Sequence, residues 1–396
     1  MISFTDVAPA PSLDLAPEVD VIALRRDFHA HPELGFEEVR TSGLVAQRLR
    51  ALGLEVREGV GVTGVIAVLR GEAGDGPTAL LRADMDALPV AEENTWDWKS
   101  TVNQKMHACG HDAHTAILLT VARLLVMEKA SLRGKVVFMF QPAEEGLGGA
   151  GKMIEDGLLD TKPDFALGLH VWSEVEAGLV AVSEGPVMAS ADAFTCTIQG
   201  KGGHGAIPHE TIDPIVIAAQ LVSGLHTVVS RNIHPAAAGV VTVGRVTAGS
   251  TFNVIPDVAE LEGTVRAFDE TVRATLERRC RELCEELPKA FGATAKFNYQ
   301  RQYRATVNLP HWCDVIRAAA ANVVGTDHVI PFNPTLGAED FSMVLERVPG
   351  AYFFVGARNE SIGAKYPHHH PKFSIDERAL MIGAQTFVEA VRSQLG

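Results

Sequence analysis

Cysteine is scarce in this chain. Its 396 residues hold five, an odd number with no Cys-x-x-Cys pair among Cys109, Cys196, Cys280, Cys284 and Cys313. That argues against a disulfide framework and for a reducing, cytoplasmic setting. Positive charge is in deficit: 35 Lys and Arg stand against 49 Asp and Glu, a formal net charge of −14. Such a chain repels phosphate backbones, so no nucleic-acid partner is expected, and an anionic substrate must be met by local positive charge. No apolar run approaches the roughly eighteen residues of a membrane helix. The N-terminus lacks the basic stretch and apolar core of a secretory signal, so neither a membrane nor an export role is expected. Internal repeats and low-complexity tracts are missing, and the glycines around Lys201–His209 are not read as a phosphate loop. Residues before about Pro17, rich in Ala and Pro, are expected to form a loose tail.

What remains is an ordinary globular composition, 46 % apolar and 21 % charged, long enough for two domains with sizeable cores. The first half alternates helical and extended patterns. Helices are predicted over 19–29, 38–52 and 113–127, the last with Asp112 near its N-cap. Strands are predicted over 63–70, 78–82, 136–140 and 165–169. This alternation predicts an α/β fold with a mostly parallel sheet and helices on both faces. Near Gly185-Pro186 the pattern changes to strand 193–199, helix 213–230, strands 239–246 and 258–268, helix 270–291 and strand 293–301. That order, βαββαβ, is ferredoxin-like. The α/β pattern resumes with a helix over 314–324, a strand over 351–355 and a helix from Glu377. The expected division is one domain in two parts, 1–187 and 305–396, interrupted by an insert at 188–304.

Polar clusters follow the predicted strands, where ligands bind in such sheets. The densest is Met106–His114, which puts one thiol, three imidazoles and a carboxylate into nine residues. Cys109 and His111 are one residue apart; in an extended segment both would face one side, and thiolate with imidazole suits a borderline-soft divalent ion. Alone, the pair reads more readily as a buried thiol and a hydrogen-bonded histidine; the clusters that follow reverse that preference. Glu144 and Glu145 follow the apolar 136–140 run, an arrangement that lets one carboxylate bind metal and the other act as a base, where an acidic surface turn is the plainer reading. His170 closes the 165–169 run and by itself is more often a satisfied core histidine than a ligand. His368, His369 and His370 are consecutive, a loop or a metal contact. In the insert, the glycines of Lys201–His209 let the backbone approach a ligand and present His204.

Together these segments resemble the amidohydrolase branch of the M20 metallopeptidases, which includes hippurate hydrolases, aminoacylases and auxin-conjugate hydrolases. The matching stretches run in order along nearly the whole chain: DFHAHPELGFEE (27–38), LRADMDALPV (81–90), MHACGHDAHTA (106–116), QPAEEG (141–146), GLH (168–170), GKGGHGAIPH (200–209), STFNVIPD (250–257), GTVR (263–266), GAEDFS (337–342) and HHHPKF (368–373). The resemblance implies a catalytic domain interrupted by a lid and dimerisation domain, and hence a homodimer or higher homo-oligomer. It implies two divalent metal ions, Zn or Mn foremost and Co or Ni suitable. The ligands carried over are Cys109, His111, Glu145, His170 and one of the three C-terminal histidines, His369 by its position two before the proline. Glu144 matches the general base. His204, Asn253 and Arg266 match substrate-binding residues of the lid, His204 also acting in catalysis, commonly at the partner subunit's site. Asp84 stands where many M20 peptidases have a metal-binding His, so it is not counted as a ligand; Asp86 is expected to orient one.

The implied reaction is hydrolysis of an N-acyl-L-amino acid to a carboxylic acid and a free amino acid. A dipeptidase, an N-carbamoyl amino acid hydrolase or a deaminase would use the same machinery. A non-catalytic metal-binding scaffold would be marked by a lost base or ligand, and none is missing.

Overall fold

The computed structural model describes residues 16–396; the tail expected before Pro17 falls outside them, apart from Ala16. The chain divides into two compact units. One holds the described residues up to Gly185 together with Val307–Asn333 and Met343–Gly396, the other Pro186–Thr306 and Pro334–Ser342.

The first unit is built on an eight-stranded sheet. Its middle strands, Lys135–Gln141, Thr78–Asp84, Phe165–Glu176 and Gly350–Arg358, are neighbours in that order and run parallel. Gly64–Arg70 and then Glu55–Val60 extend one side in antiparallel fashion. Every residue of Thr78–Asp84 is buried, which is why this strand reads as a continuous apolar run and not an alternating one. Ala79, Leu81, Ala83, Phe138, Phe140, Leu167 and Phe353 share one core with helices Pro17–Ala30, Val39–Ala51, His111–Met127, Pro310–Val324 and Arg378–Leu395. The intervening Leu80, Val137 and Met139 are buried on the opposite face. The α/β fold with a mostly parallel sheet is as expected.

Three local expectations change. The strand predicted over 165–169 continues to Glu176, so His170 lies within it and does not end it. Helix His111–Met127 begins two residues early with Gly110 at its N-cap, and Asp112 makes no cap; its carboxylate accepts from Arg25 Nε (2.9 Å) and pairs with His29 Nδ1 (2.8 Å). Glu55–Val60 was not predicted at all; it is an edge strand, mostly exposed, and carries no apolar pattern.

The second unit contains a four-stranded antiparallel sheet in the order Gly239–Ala248, Val258–Ala267, Ala191–Gln199, Thr294–Tyr303. With helices Pro214–Asn232 and Glu270–Ala290 the chain order is βαββαβ. Ile217, Leu221, Leu225 and Val228 form one helix's buried stripe, Leu276, Cys280 and Cys284 the other's, at the spacing a sheet-covering helix requires. Asp213 and Asp269 cap these helices by accepting backbone N–H bonds from Ile215 and from Thr271 and Val272.

Candidate functional site

The strand register assembles the site. Asp84 ends its strand opposite Gln141. Arg82 pairs with Gly168 on the other side, which brings His170 level with Asp84. The turn after Gln141 supplies Glu144 and Glu145, and the loop before helix His111–Met127 supplies Cys109.

Cys109 and His111 come together by a route other than extended alternation. Cys109 lies in a bend, His111 is the first residue of the helix, and between them Gly110 has φ +98°. A Cβ at Gly110 would sit 2.5 Å from Val171 Cγ2, so the position needs glycine for conformation and for space.

Ligand-type atoms of Cys109, His111 and His170 lie within 4.8 Å of one another, and so do those of Cys109, Glu145 and His369, and of His111, Glu144 and Glu145. Cys109 Sγ is 3.5 Å from His170 Nε2. Glu145 Oε1 is 3.3 Å from His369 Nε2 and 3.9 Å from His111 Nε2. The predicted ligand residues therefore converge, with Glu144 beside them.

Hydrogen bonds to the outer nitrogens decide which imidazole atoms face inward. His170 Nδ1 donates to Val171 O (2.7 Å), leaving Nε2 toward Cys109. His111 Nδ1 contacts Asp86 O (3.0 Å) and Oδ1 (3.1 Å), leaving Nε2 inward. Asp86 Oδ2 also accepts the Glu145 N–H (3.0 Å), so one carboxylate orients two of the converging residues. His368 is spent: Nδ1 contacts Cys109 O (3.2 Å), and Nε2 accepts from Ser173 N–H (3.2 Å). His370 Nδ1 accepts from Lys372 N–H (3.0 Å). Of the three, His369 faces Glu145, from a left-handed backbone with φ +66°.

His114, the third imidazole of Met106–His114, has both nitrogens engaged. Nδ1 donates to Asp84 Oδ1 (2.5 Å), and Nε2 accepts from Val171 N–H (2.9 Å). Asp84 Oδ2 accepts from Arg82 (2.8 Å), whose guanidinium also reaches Gln141 and Tyr352. Sequence reasoning missed this buried network; its one visible trace was a charged Arg82 inside an apolar strand.

The electrostatics are those of a cation site. Burial, reinforced by Glu145, Glu144 and Asp84, holds the Cys109 thiol well above its usual pKa. Burial lowers His111, but Asp84, Asp86 and Glu145 overcome it and push the imidazole up to about 10. His170 is held well below its usual value by burial and by His114 and His368. Two buried atoms, His111 Nε2 and Glu145 Oε1, have no hydrogen-bond partner. Such orphans are costly unless something fills the space between them. Divalent cations fit that space on every count: inward donor atoms, mixed S, N and O chemistry, and excess negative charge.

In the second unit, His204 lies on the two-residue strand Gly203–His204, paired with Val254–Ile255. Gly205 N–H donates to Asn253 O (2.9 Å), so His204 and Asn253 are neighbours, both exposed. The His204 Nδ1 accepts from Ala206 N–H (3.0 Å), which leaves Nε2 for another partner. Arg266 is half-buried on Val258–Ala267, opposite Val240, and no ion pair joins it to a carboxylate among the described residues.

Residues 80–393 match the model of peptidase family M20/M25/M40. The chain belongs to that family. It is 44 % identical over 368 residues to thermostable carboxypeptidase 1 of Saccharolobus solfataricus, covering 92 % of each chain. It is 40 % identical to an N-acetylcysteine deacetylase of Bacillus subtilis, over 95 % of this chain and 97 % of that one. Among solved structures, the Bacillus subtilis YXEP protein, described as a dinuclear metal-binding peptidase of the M20 family, superposes with a TM-score of 0.83 at 36 % identity, over 96 % of this chain and 98 % of that one. This M20 chain is a metal-dependent hydrolase of the peptidase and amidohydrolase kind. Among its described residues no helix is long and apolar enough to cross a membrane.

Proposed function

We propose that this M20 enzyme hydrolyses the amide bond of N-acyl-L-amino acids, releasing a carboxylic acid and a free amino acid. The observation that carries the reading is the convergence of Cys109, His111, Glu145, His170 and His369 beside Glu144, with buried donor atoms left without partners. In this reading those five residues hold two divalent ions, Zn²⁺ or Mn²⁺ foremost and Co²⁺ or Ni²⁺ also suited. Bound there, such ions supply a lowered water pKa and Lewis acidity toward the scissile carbonyl. Glu144 takes the proton of the attacking water and returns it to the leaving amine. His204 donates to the oxyanion that develops. Arg266, with Asn253 near the leaving group, binds the substrate's carboxylate by a bidentate pair, supplying the local positive charge that an acidic chain otherwise lacks. The second unit then acts as a lid and as the contact surface of a homodimer, in a cytoplasmic enzyme.

The relative named for deacetylating N-acetylcysteine supports an acyl-amino-acid substrate. The relative named as a carboxypeptidase favours a second reading, removal of the C-terminal residue of a peptide. Both leaving groups are amino acids with a free carboxylate; the readings differ only on the acyl side. Hydrolysis of N-acetyl, N-benzoyl, indoleacetyl and N-carbamoyl amino acids and of dipeptides by metal-stripped and re-metallated enzyme separates them. Metal-dependent turnover led by an acyl amino acid is expected; turnover confined to dipeptides or carbamoyl compounds would replace the first reading.

A further inference from the structure

The segment DFHAHPELGFEE contains a residue that none of this chemistry uses. Glu38 is fully buried at the N-cap of helix Val39–Ala51, yet its side chain does not cap that helix. It reaches instead to the loop that carries Glu144. Oε1 accepts the Ala143 N–H at 2.8 Å, and Oε2 accepts the Thr63 hydroxyl at 2.6 Å.

Ala143 needs such a hold. Its φ of +53° lies in the left-handed region, which a residue with a Cβ avoids. The turn around it is crowded: a Cβ at Gly35 would stand 3.0 Å from Ala143 Cα and 3.0 Å from Leu147 Cδ1. Phe36, on the opposing turn, is also left-handed at φ +65°. Two strained turns therefore interlock, and Glu38 is the side chain that ties them. Past Glu144, the next N–H, that of Glu145, is held by Asp86. The backbone is thus pinned by a carboxylate immediately before and immediately after Glu144.

We propose that Glu38 is a positioning residue for amide hydrolysis, fixing the Ala143–Glu144 backbone from which the Glu144 carboxylate works. The proposal rests on the reading of Glu144 as the base. What Glu38 supplies is acceptor geometry and not charge. Burial pushes its pKa up to about 7, and a protonated carboxyl still accepts the Ala143 N–H on its carbonyl oxygen. The amide of glutamine offers the same acceptor.

The test measures kcat, KM, metal content and cooperative unfolding for the metal-loaded wild type, Glu38→Ala, Glu38→Gln, Thr63→Val and Glu144→Gln, on an N-acyl amino acid that the wild type hydrolyses. Glu38→Ala is expected to keep its metals and KM and to lose kcat by roughly 10²-fold, the scale of a misplacement of about 1 Å. Glu38→Gln is expected to recover most of that loss. Equal kcat in Glu38→Ala and wild type would overturn the proposal, as would equal losses in the Ala and Gln variants or a loss carried by metal content. If Glu38→Ala does not fold, Thr63→Val decides: it frees one carboxyl oxygen of Glu38, and a kcat lowered severalfold with metals retained supports the proposal, whereas an unchanged kcat overturns it. Glu144→Gln separates the two failures. If it keeps kcat, the base assignment falls and takes Glu38 with it; if it loses kcat while Glu38→Ala keeps it, Glu38 alone falls.

Discussion

At the scale of single residues, the site is a set of inward-facing atoms, and for His111 and His170 the outer nitrogen has a defined partner. His170, His111 and His114 illustrate the logic. Each imidazole has one nitrogen fixed by a carbonyl or carboxylate, and what the second nitrogen meets separates a candidate ligand from a support. For His114 it meets the Val171 N–H; for His111 it makes no hydrogen bond and faces the carboxylates of Asp84 (3.4 Å) and Glu145 (3.9 Å). The converging set was named from the resemblance of its motifs, since each residue alone left a plainer reading open and His170 lies within its strand, not at its end. The supports were not legible, because their partners are far away in the chain: Arg82 reaches Tyr352 and Glu38 reaches Ala143. The three consecutive histidines were equally opaque, since only the Ser173 and Cys109 backbones show that His368 is occupied.

Two predictions belong at this scale. Glu144→Gln is expected to keep both metals and lose turnover by about 10²–10⁴-fold, the usual contribution of a general base; single-turnover kinetics with metal analysis checks it, and near wild-type rates would remove the base. The other concerns stability. The carboxyl of Glu38 has a folded pKa of about 7 against an ordinary 4.5, because burial disfavours its charged form. The folded state then binds the proton more tightly than the unfolded one. Stability from this group is present at low pH and is lost as pH rises from about 4.5 through about 7. Glutamine does not titrate. The unfolding free energy of Glu38→Gln relative to wild type should therefore rise across that window and level off above it. Urea titrations at pH 5, 6, 7 and 8 measure this, and a flat or falling difference contradicts it.

At the scale of elements, continuous burial and helical spacing announced most strands and helices, while edges and ends stayed silent. Glu55–Val60 has no apolar pattern because it is an exposed edge. The helix at His111 starts early because Gly110 makes the turn that extended alternation was expected to make. Gly110→Ala tests that turn. The new Cβ would meet Val171 at 2.5 Å in a left-handed backbone. A destabilisation of about 1–3 kcal/mol is expected from overpacking and strain, together with weaker metal retention as Cys109 and His111 move apart. Thermal unfolding and metal titration read the two effects; unchanged metal affinity would show that the bend does not set the pair's spacing.

At the scale of the whole molecule, the account asks two units to cooperate. The metal-side residues belong to one and His204, Asn253 and Arg266 to the other. His204→Ala is expected to keep its metals and its fold while losing kcat by about 10²–10³-fold, the effect of removing an oxyanion donor. If the lid residues serve the partner subunit's site, Glu144→Gln and His204→Ala protomers are each nearly inactive but regain activity on subunit exchange, because one mixed site is intact. Absence of recovery, with exchange verified by native mass spectrometry, would assign the lid to its own subunit. Arg266→Lys should raise KM for carboxylate-bearing substrates far more than for neutral amides.

Anomalous diffraction from metal-loaded crystals tests the central claim most directly. The account predicts two peaks roughly 3.5–4 Å apart, one of them about 2.3 Å from Cys109 Sγ, with His111, Glu145, His170 and His369 completing the ligands and Glu144 unligated beside them. A single peak, or peaks held by Asp84 and His114 instead of Cys109, would contradict it.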